Sequence, residues 1–109
     1  MNRLDGRTAV ITGGGRGIGR AIALAYVAEG AKCVITSRSV ADLEATAAEA
    51  PESLFPVGCD VSSGESVTNM AAEAVALLGN VDIVVNNAGI HSFFFNDTAT
   101  TEIYTRLFD

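Results

Sequence analysis

The sequence predicts an α/β fold of alternating strands and helices. Three observations predict it. Short β-branched and apolar runs recur at residues 8–12, 32–36, 54–59 and 81–85. Stretches with a helical apolar period separate them. A turn holding Gly13, Gly14, Gly15, Gly17 and Gly19 joins the first run to the first helical stretch. The expected order is therefore β1-α-β2-α-β3-α-β4.

The glycine turn carries the first chemistry. Glycine is costly to order unless the backbone needs positive φ or a close approach. A helix N-terminus presents unpaired N–H groups and about half a unit of positive charge, so it attracts phosphate. Strand, glycine turn and helix together read as a pyrophosphate cradle, with Gly13, Gly15, Arg16, Gly17, Ile18 and Gly19 as candidate contacts. The plainer alternative is a glycine loop with a packing role only. The spacing departs from G-x-G-x-x-G, because the third position counted from Gly15 falls on Arg20. What stands from Thr12 to Gly19 is T-G-x-x-x-G-x-G. It resembles the glycine motif of the short-chain dehydrogenase/reductase family. The resemblance implies a Rossmann-like, doubly wound parallel sheet of strand order 3-2-1-4 and a nicotinamide dinucleotide cofactor. In the helix that follows, Ile18, Ala21, Ile22, Ala25 and Tyr26 are expected on one apolar face. Gly30 is placed to end it.

The second strand ends at Ser37-Arg38-Ser39. In a βαβ dinucleotide site the adenosine ribose lies there, and an acid roughly 20 residues after the glycine motif holds a free 2′-hydroxyl. Ser37 occupies the place where the family's NAD-preferring members carry that acid, and Arg38 follows it. An arginine offers a planar fork of donors that suits a phosphate. Arg16 approaches the same place from the turn. The pair implies NADP rather than NAD; the alternative is two solvated surface arginines.

Ser39 with Asp42 reads as a capping box opening the second helix. Val40, Leu43 and Ala47 give that helix an apolar face, and Pro51 closes it. Pro56 assigns the third strand to a sheet edge, since it lacks a ladder donor. Asp60 and Val61 end that strand. In the family, an aspartate followed by an apolar residue borders the adenine ring here; the alternative for Asp60 is a turn or helix-cap role. Ser62 with Glu65 reads as the next capping box. Val67, Met70, Ala71, Ala74 and Leu78 form the face of the third helix, and Gly79 stops it. The fourth strand is a continuous apolar run, which means burial on both faces. Asn86-Asn87-Ala88-Gly89 follows directly and matches the family's N-N-A-G motif, implying cofactor contacts at Asn87, Ala88 and Gly89. Ligands of doubly wound sheets bind at this edge. The resemblance covers residues 4–90.

Composition sets limits. The chain has 109 residues, 49% of them hydrophobic, and a net charge of −6. It is globular, holds one domain at most, and has no basic run to neutralise nucleic-acid phosphates. It shows neither an 18-residue apolar stretch nor a signal-peptide core, so a cytoplasmic location is expected. Cys33 and Cys59 fall at apolar strand positions and read as reduced core residues; no metal site is expected.

After Ile90 the pattern breaks. Residues 93–109 open with three phenylalanines and lack a helical period. Residues 96–105 resemble a frame translation of a sequencing-library adapter, and the phenylalanines a thymine homopolymer ahead of it. The expectation is residues 1–92 as the N-terminal half of a dinucleotide-binding domain and 93–109 as a non-native tail. The family's catalytic Asn-Ser-Tyr-Lys set lies beyond the fourth strand. Tyr26 is followed four residues on by Gly30 and Tyr104 by Phe108, so neither forms Y-x-x-x-K. No catalytic residue is assigned, and His91 is given no role. The implied parent is an NADP-dependent oxidoreductase passing hydride between cofactor and a carbonyl or alcohol substrate, homo-oligomeric like its family. The rival reading is a non-catalytic module that senses the dinucleotide, and a third is that the fragment as written is never made.

Overall fold

The computed structural model describes residues 2–87. Its elements are β1 (Thr8–Thr12), α1 (Gly17–Ala28), β2 (Lys32–Ser37), α2 (Val40–Ala47), β3 (Leu54–Gly58), α3 (Gly64–Leu78) and β4 (Ile83–Asn86). The strands form one parallel sheet in the order β3-β2-β1-β4. The expectations for 93–109, His91 and Tyr104 lie outside the described residues.

The central strands β1 and β2 are buried on both faces, because consecutive residues point to opposite sides and helices cover both. β4, expected to be buried on both faces, is only half-buried, since it has one neighbouring strand among the described residues. Ala9, Ile11, Cys33, Ile35 and Leu54 face α1 and α2, where they meet Ala23, Leu43 and Ala47. Val10, Val34, Val57 and Cys59 face α3, where they meet Val67, Met70, Ala71 and Ala74. Burying a side chain the size of Leu43 contributes about 1.5–3 kcal/mol. The two cysteines lie on opposite faces as free, buried thiols, and burial pushes the Cys33 thiol up to about 12. Pro56 pairs in register with Ile35 on the edge strand, where its missing N–H costs no ladder bond.

Three further local expectations need correction. The buried positions of α1 are Gly19 and Ala23, whereas Ala21 and Ala25 are exposed and Ile18 is 72% exposed. Ile22 and Tyr26 are half-buried against the core. The helix is turned by about one residue position because only small side chains let it approach the glycine turn and the sheet this closely. The cap of α3 is Ser63, whose hydroxyl accepts from Ser66 N at 3.2 Å, rather than Ser62. β4 begins at Ile83, two residues late. Asp82 there accepts from Thr8 N at 3.0 Å through its carboxylate, and its own N–H bonds Thr8 O at 3.1 Å. These contacts clamp the strand's entry before the regular ladder begins.

Candidate dinucleotide site

In a parallel sheet all carboxyl ends point the same way, and a crevice opens where strand order reverses. Here that point lies between β1 and β4, and a crevice of about 400 Å³ runs from it along the carboxyl ends of β1, β2 and β3. Each strand end supplies part of its lining. Gly13, Gly15 and Arg16 follow β1, Ser37, Arg38 and Ser39 follow β2, Cys59 and Val61 follow β3, and Asn87 follows β4. Asp42 enters from the first turn of α2.

The turn is pinned from below. Gly13 N and Gly14 N both donate to Thr36 O, at 2.7 and 3.1 Å. Gly13 adopts φ +71°, a conformation that L side chains rarely hold. A Cβ on Gly19 would collide with the Gly13 carbonyl oxygen and lie 2.6 Å from Asn87 Nδ2. Thr12, fully buried, ties the turn to the end of β4, because its Oγ1 accepts from Asn87 N at 2.9 Å.

The three helix N-termini differ. Ser39 caps α2 and Ser63 caps α3, each with an acid in the first turn. At α1 the cap position is Arg16, with no side-chain cap bond and no acid in the first turn. Its unpaired N–H groups therefore keep their attraction for an external anion.

Charge around the crevice is mixed. Arg16 Nε lies 3.9 Å from Asp42 Oδ2, with the two side chains 88% and 41% exposed. An ion pair this exposed is worth about 0–1 kcal/mol, so Arg16 remains available to a stronger anion. The Ser39–Asp42 capping box is half made: Ser39 Oγ accepts from Asp42 N at 3.4 Å, but Ser39 N donates to Ser37 Oγ at 3.2 Å. That leaves the Asp42 carboxylate for Arg16. Asp60 Oδ1 accepts from Ser62 Oγ at 2.6 Å and from Ser62 N at 3.0 Å. Those bonds, with a smaller contribution from Arg38, hold the Asp60 carboxyl below its usual range. The turn role anticipated for Asp60 is thus present. Burial raises the Cys59 thiol, partly opposed by its bond with Ser66.

Of the candidate contacts named above, Gly13, Gly15, Arg16, Ser37, Arg38, Val61 and Asn87 line one crevice. Gly17, Ile18 and Gly19 form the start of α1 just behind the lining, and Asp60 sits beside it. Ala88 and Gly89 lie outside the described residues. Sequence reasoning missed Ser39, Asp42 and Cys59 as wall residues. One signal for α2 was available: Ser39, Asp42 and Thr46 stand at i, i+3 and i+7, a polar stripe on one helix face. The residues fit a dinucleotide: a glycine cradle that a Cβ would fill, an uncapped helix end that suits a pyrophosphate, and two arginines on the wall after β1 and β2.

The short chain dehydrogenase family model matches residues 7–109. A sorbitol dehydrogenase of Cereibacter sphaeroides is 43% identical over 106 residues, covering 97% of this chain and 41% of its own length. Among solved structures, a 7α-hydroxysteroid dehydrogenase complexed with NADH and 7-oxo glycochenodeoxycholic acid superposes with TM-score 0.75 at 36% identity, covering 77% of this chain and 34% of its own. A metagenomic short-chain oxidoreductase in complex with NADP gives TM-score 0.73 at 39% identity, covering 80% and 41%. The chain spans from about a third to just under half of the length of the curated relatives it matches.

Proposed function

Because the chain belongs to the short-chain dehydrogenase family, we propose that it forms the cofactor-binding N-terminal part of an oxidoreductase that passes hydride between NADP(H) and a carbonyl or alcohol. The observation that carries this is the crevice at the strand ends, where an uncapped helix terminus and two arginines stand together. When bound, the reduced nicotinamide would supply the hydride to a carbonyl and the oxidised one would accept it from an alcohol. The chain's own residues hold the cofactor: the glycine turn and the start of α1 at the pyrophosphate, Arg38 and Arg16 at a ribose 2′-phosphate, and Val61 beside the adenine. By likeness to the family alone, Ala88 and Gly89 add contacts, the acid–base tyrosine and lysine lie in the remainder of a longer protein, and that protein is a cytoplasmic homo-oligomer. The sensor alternative gains no support, since the relatives described above are dehydrogenases and an oxidoreductase. Among the described residues no helix is long and apolar enough to cross a membrane.

One observation favours a second reading of the cofactor. Asp42 brings to the crevice wall an acid that the end of β2 lacks, which suits an enzyme accepting both NADP and NAD. Steady-state kinetics on the full-length protein separate the two. The expected result is a higher kcat/KM with NADPH than with NADH on a panel of carbonyl substrates, and no turnover from Met1–Asp109 alone, which lacks Y-x-x-x-K. Equal use of both cofactors favours the second reading, and turnover by the short chain contradicts the placement of the catalytic set.

Residues 93–109 are read as a non-native tail on their adapter-like composition, although the family model's match runs through residue 109. Sequencing the native locus is expected to show different codons after Ser92. Finding the same codons there, in genomic context, rejects the reading.

A further inference from the structure

The peptide joining Gly15 to Arg16 is fastened from behind. Thr46, in the last turn of α2, is fully buried, and its Oγ1 donates to the Gly15 carbonyl at 3.0 Å. A threonine inside a helix commonly turns its hydroxyl back to a carbonyl of its own helix. Thr68 does this, donating to Gly64 O at 2.9 Å. Thr46 instead reaches across 31 residues of sequence to the glycine turn. The turn also lies close to α2 higher up, where a Cβ on Gly15 would come within 3.0 Å of Asp42 Cβ.

In a trans peptide the C=O and N–H point in opposite directions. With the Gly15 carbonyl held on α2, the N–H of Arg16 is turned away from α2. Glycines on both sides of this peptide leave the unbound turn many conformations, so an anchor lowers the cost of ordering it on binding. We infer that Thr46 is a positioning residue for the phosphate-binding turn, fixing the Gly15–Arg16 peptide so that its N–H is presented to the pyrophosphate of a dinucleotide. The inference rests on the dinucleotide reading of the crevice, but not on the choice between NADP and NAD, because both carry the same pyrophosphate.

The test is equilibrium binding of NADP⁺ and NAD⁺ to full-length wild type, Thr46→Val and Thr46→Ser. Valine keeps the shape and leaves a carbonyl unpaired; serine keeps the hydroxyl. Thr46→Val is expected to raise Kd for both dinucleotides by a common factor of roughly ten, the effect of one buried hydrogen bond left unmade. Thr46→Ser should stay within about twofold of wild type, and the NADP⁺:NAD⁺ ratio should be unchanged in both. If Thr46→Val does not fold, Thr46→Ala against Thr46→Ser gives the same comparison, since these differ only by the hydroxyl. Wild-type affinity in the hydroxyl-free variant, or equal loss in the serine variant, overturns the inference. A wild type that prefers NAD⁺ defeats the NADP reading alone and leaves the common factor as the measure of Thr46.

Discussion

Replacing Gly19 by alanine in the full-length protein should lower dinucleotide affinity by at least about 100-fold and reduce the melting temperature. Helix propensity argues the other way, since alanine is favoured over glycine by about 1 kcal/mol inside a helix. The steric term is larger. The added Cβ meets the Gly13 carbonyl oxygen and Asn87 Nδ2. Gly13 is backbone, and its N–H is already bonded to Thr36 O at 2.7 Å. Overpacking of this kind costs about 1–3 kcal/mol or more; the Asn87 side chain can swing aside, but the Gly13 carbonyl is backbone and cannot. The relief is geometric: α1 lifts from the turn, and its N-terminal N–H groups leave the cradle. At 1.4 kcal/mol per tenfold, losing about 3 kcal/mol of alignment gives the stated factor. Gly64→Ala is the control. It adds the same methyl at the start of α3, where nothing lies within 4 Å, and should raise stability by up to about 1 kcal/mol without affecting binding. Isothermal titration with NADP⁺ and a thermal melt read both variants. Wild-type affinity in Gly19→Ala would show that the close approach of α1 to the turn is not what holds the phosphate.

Gly19 also shows why part of the site was legible and part was not. A contiguous motif announces itself, so T-G-x-x-x-G-x-G marked the turn and Pro56 marked the edge strand. Apolar periodicity placed the face of α3, whose buried Val67, Met70, Ala71 and Ala74 are where spacing puts them. It held only in part for α1, where Ile22 and Tyr26 pack against the core but the fully buried positions are Gly19 and Ala23, because hydrophobicity patterns count large apolar residues and this contact selects small ones. Ile18 and Ile22 carry equal apolar signals, yet Ile18 is 72% exposed while Ile22 packs against the core. The contributions of Asp42 and Thr46 are tertiary. Their partners, Arg16 and Gly15, are 26 and 31 residues away, and no local pattern encodes which loop a helix will touch. The cap of α3 fell one residue off for a related reason. Ser62 and Ser63 are equivalent by type, and the bonds of Ser62 to Asp60 decide between them.

Ser37→Asp combined with Arg38→Ala should reverse the NADP preference proposed for the full-length protein. NADP differs from NAD by a 2′-phosphate on the adenosine ribose, and Ser37 and Arg38 stand on the crevice wall at the end of β2. Ser37 brings no negative charge, and its hydroxyl is engaged in the local turn, donating to Ser39 O at 3.2 Å. Arg38 is exposed, so its guanidinium is free to turn to an arriving phosphate. Charge-assisted hydrogen bonds contribute roughly 1.5–3 kcal/mol each where solvent is partly excluded. Losing one lowers the preference for NADP by about one to two powers of ten. The new carboxylate at position 37 adds repulsion against the phosphate and an acceptor for the free 2′-hydroxyl of NAD. Arg16→Ala should shift the ratio the same way but less, because that side chain is 88% exposed and shared with Asp42. Asp42→Asn should shift it in the opposite direction by no more than about fivefold, the size that a half-exposed charge produces after screening. The quantity to measure is the ratio of kcat/KM for NADPH over NADH in wild type and these three variants. Opposite signs for Arg16→Ala and Asp42→Asn, with inversion in the double variant, identify the wall between β2 and α2 as the selector. An unchanged ratio in the double variant would make Arg38 a surface charge and move the selection elsewhere in the crevice.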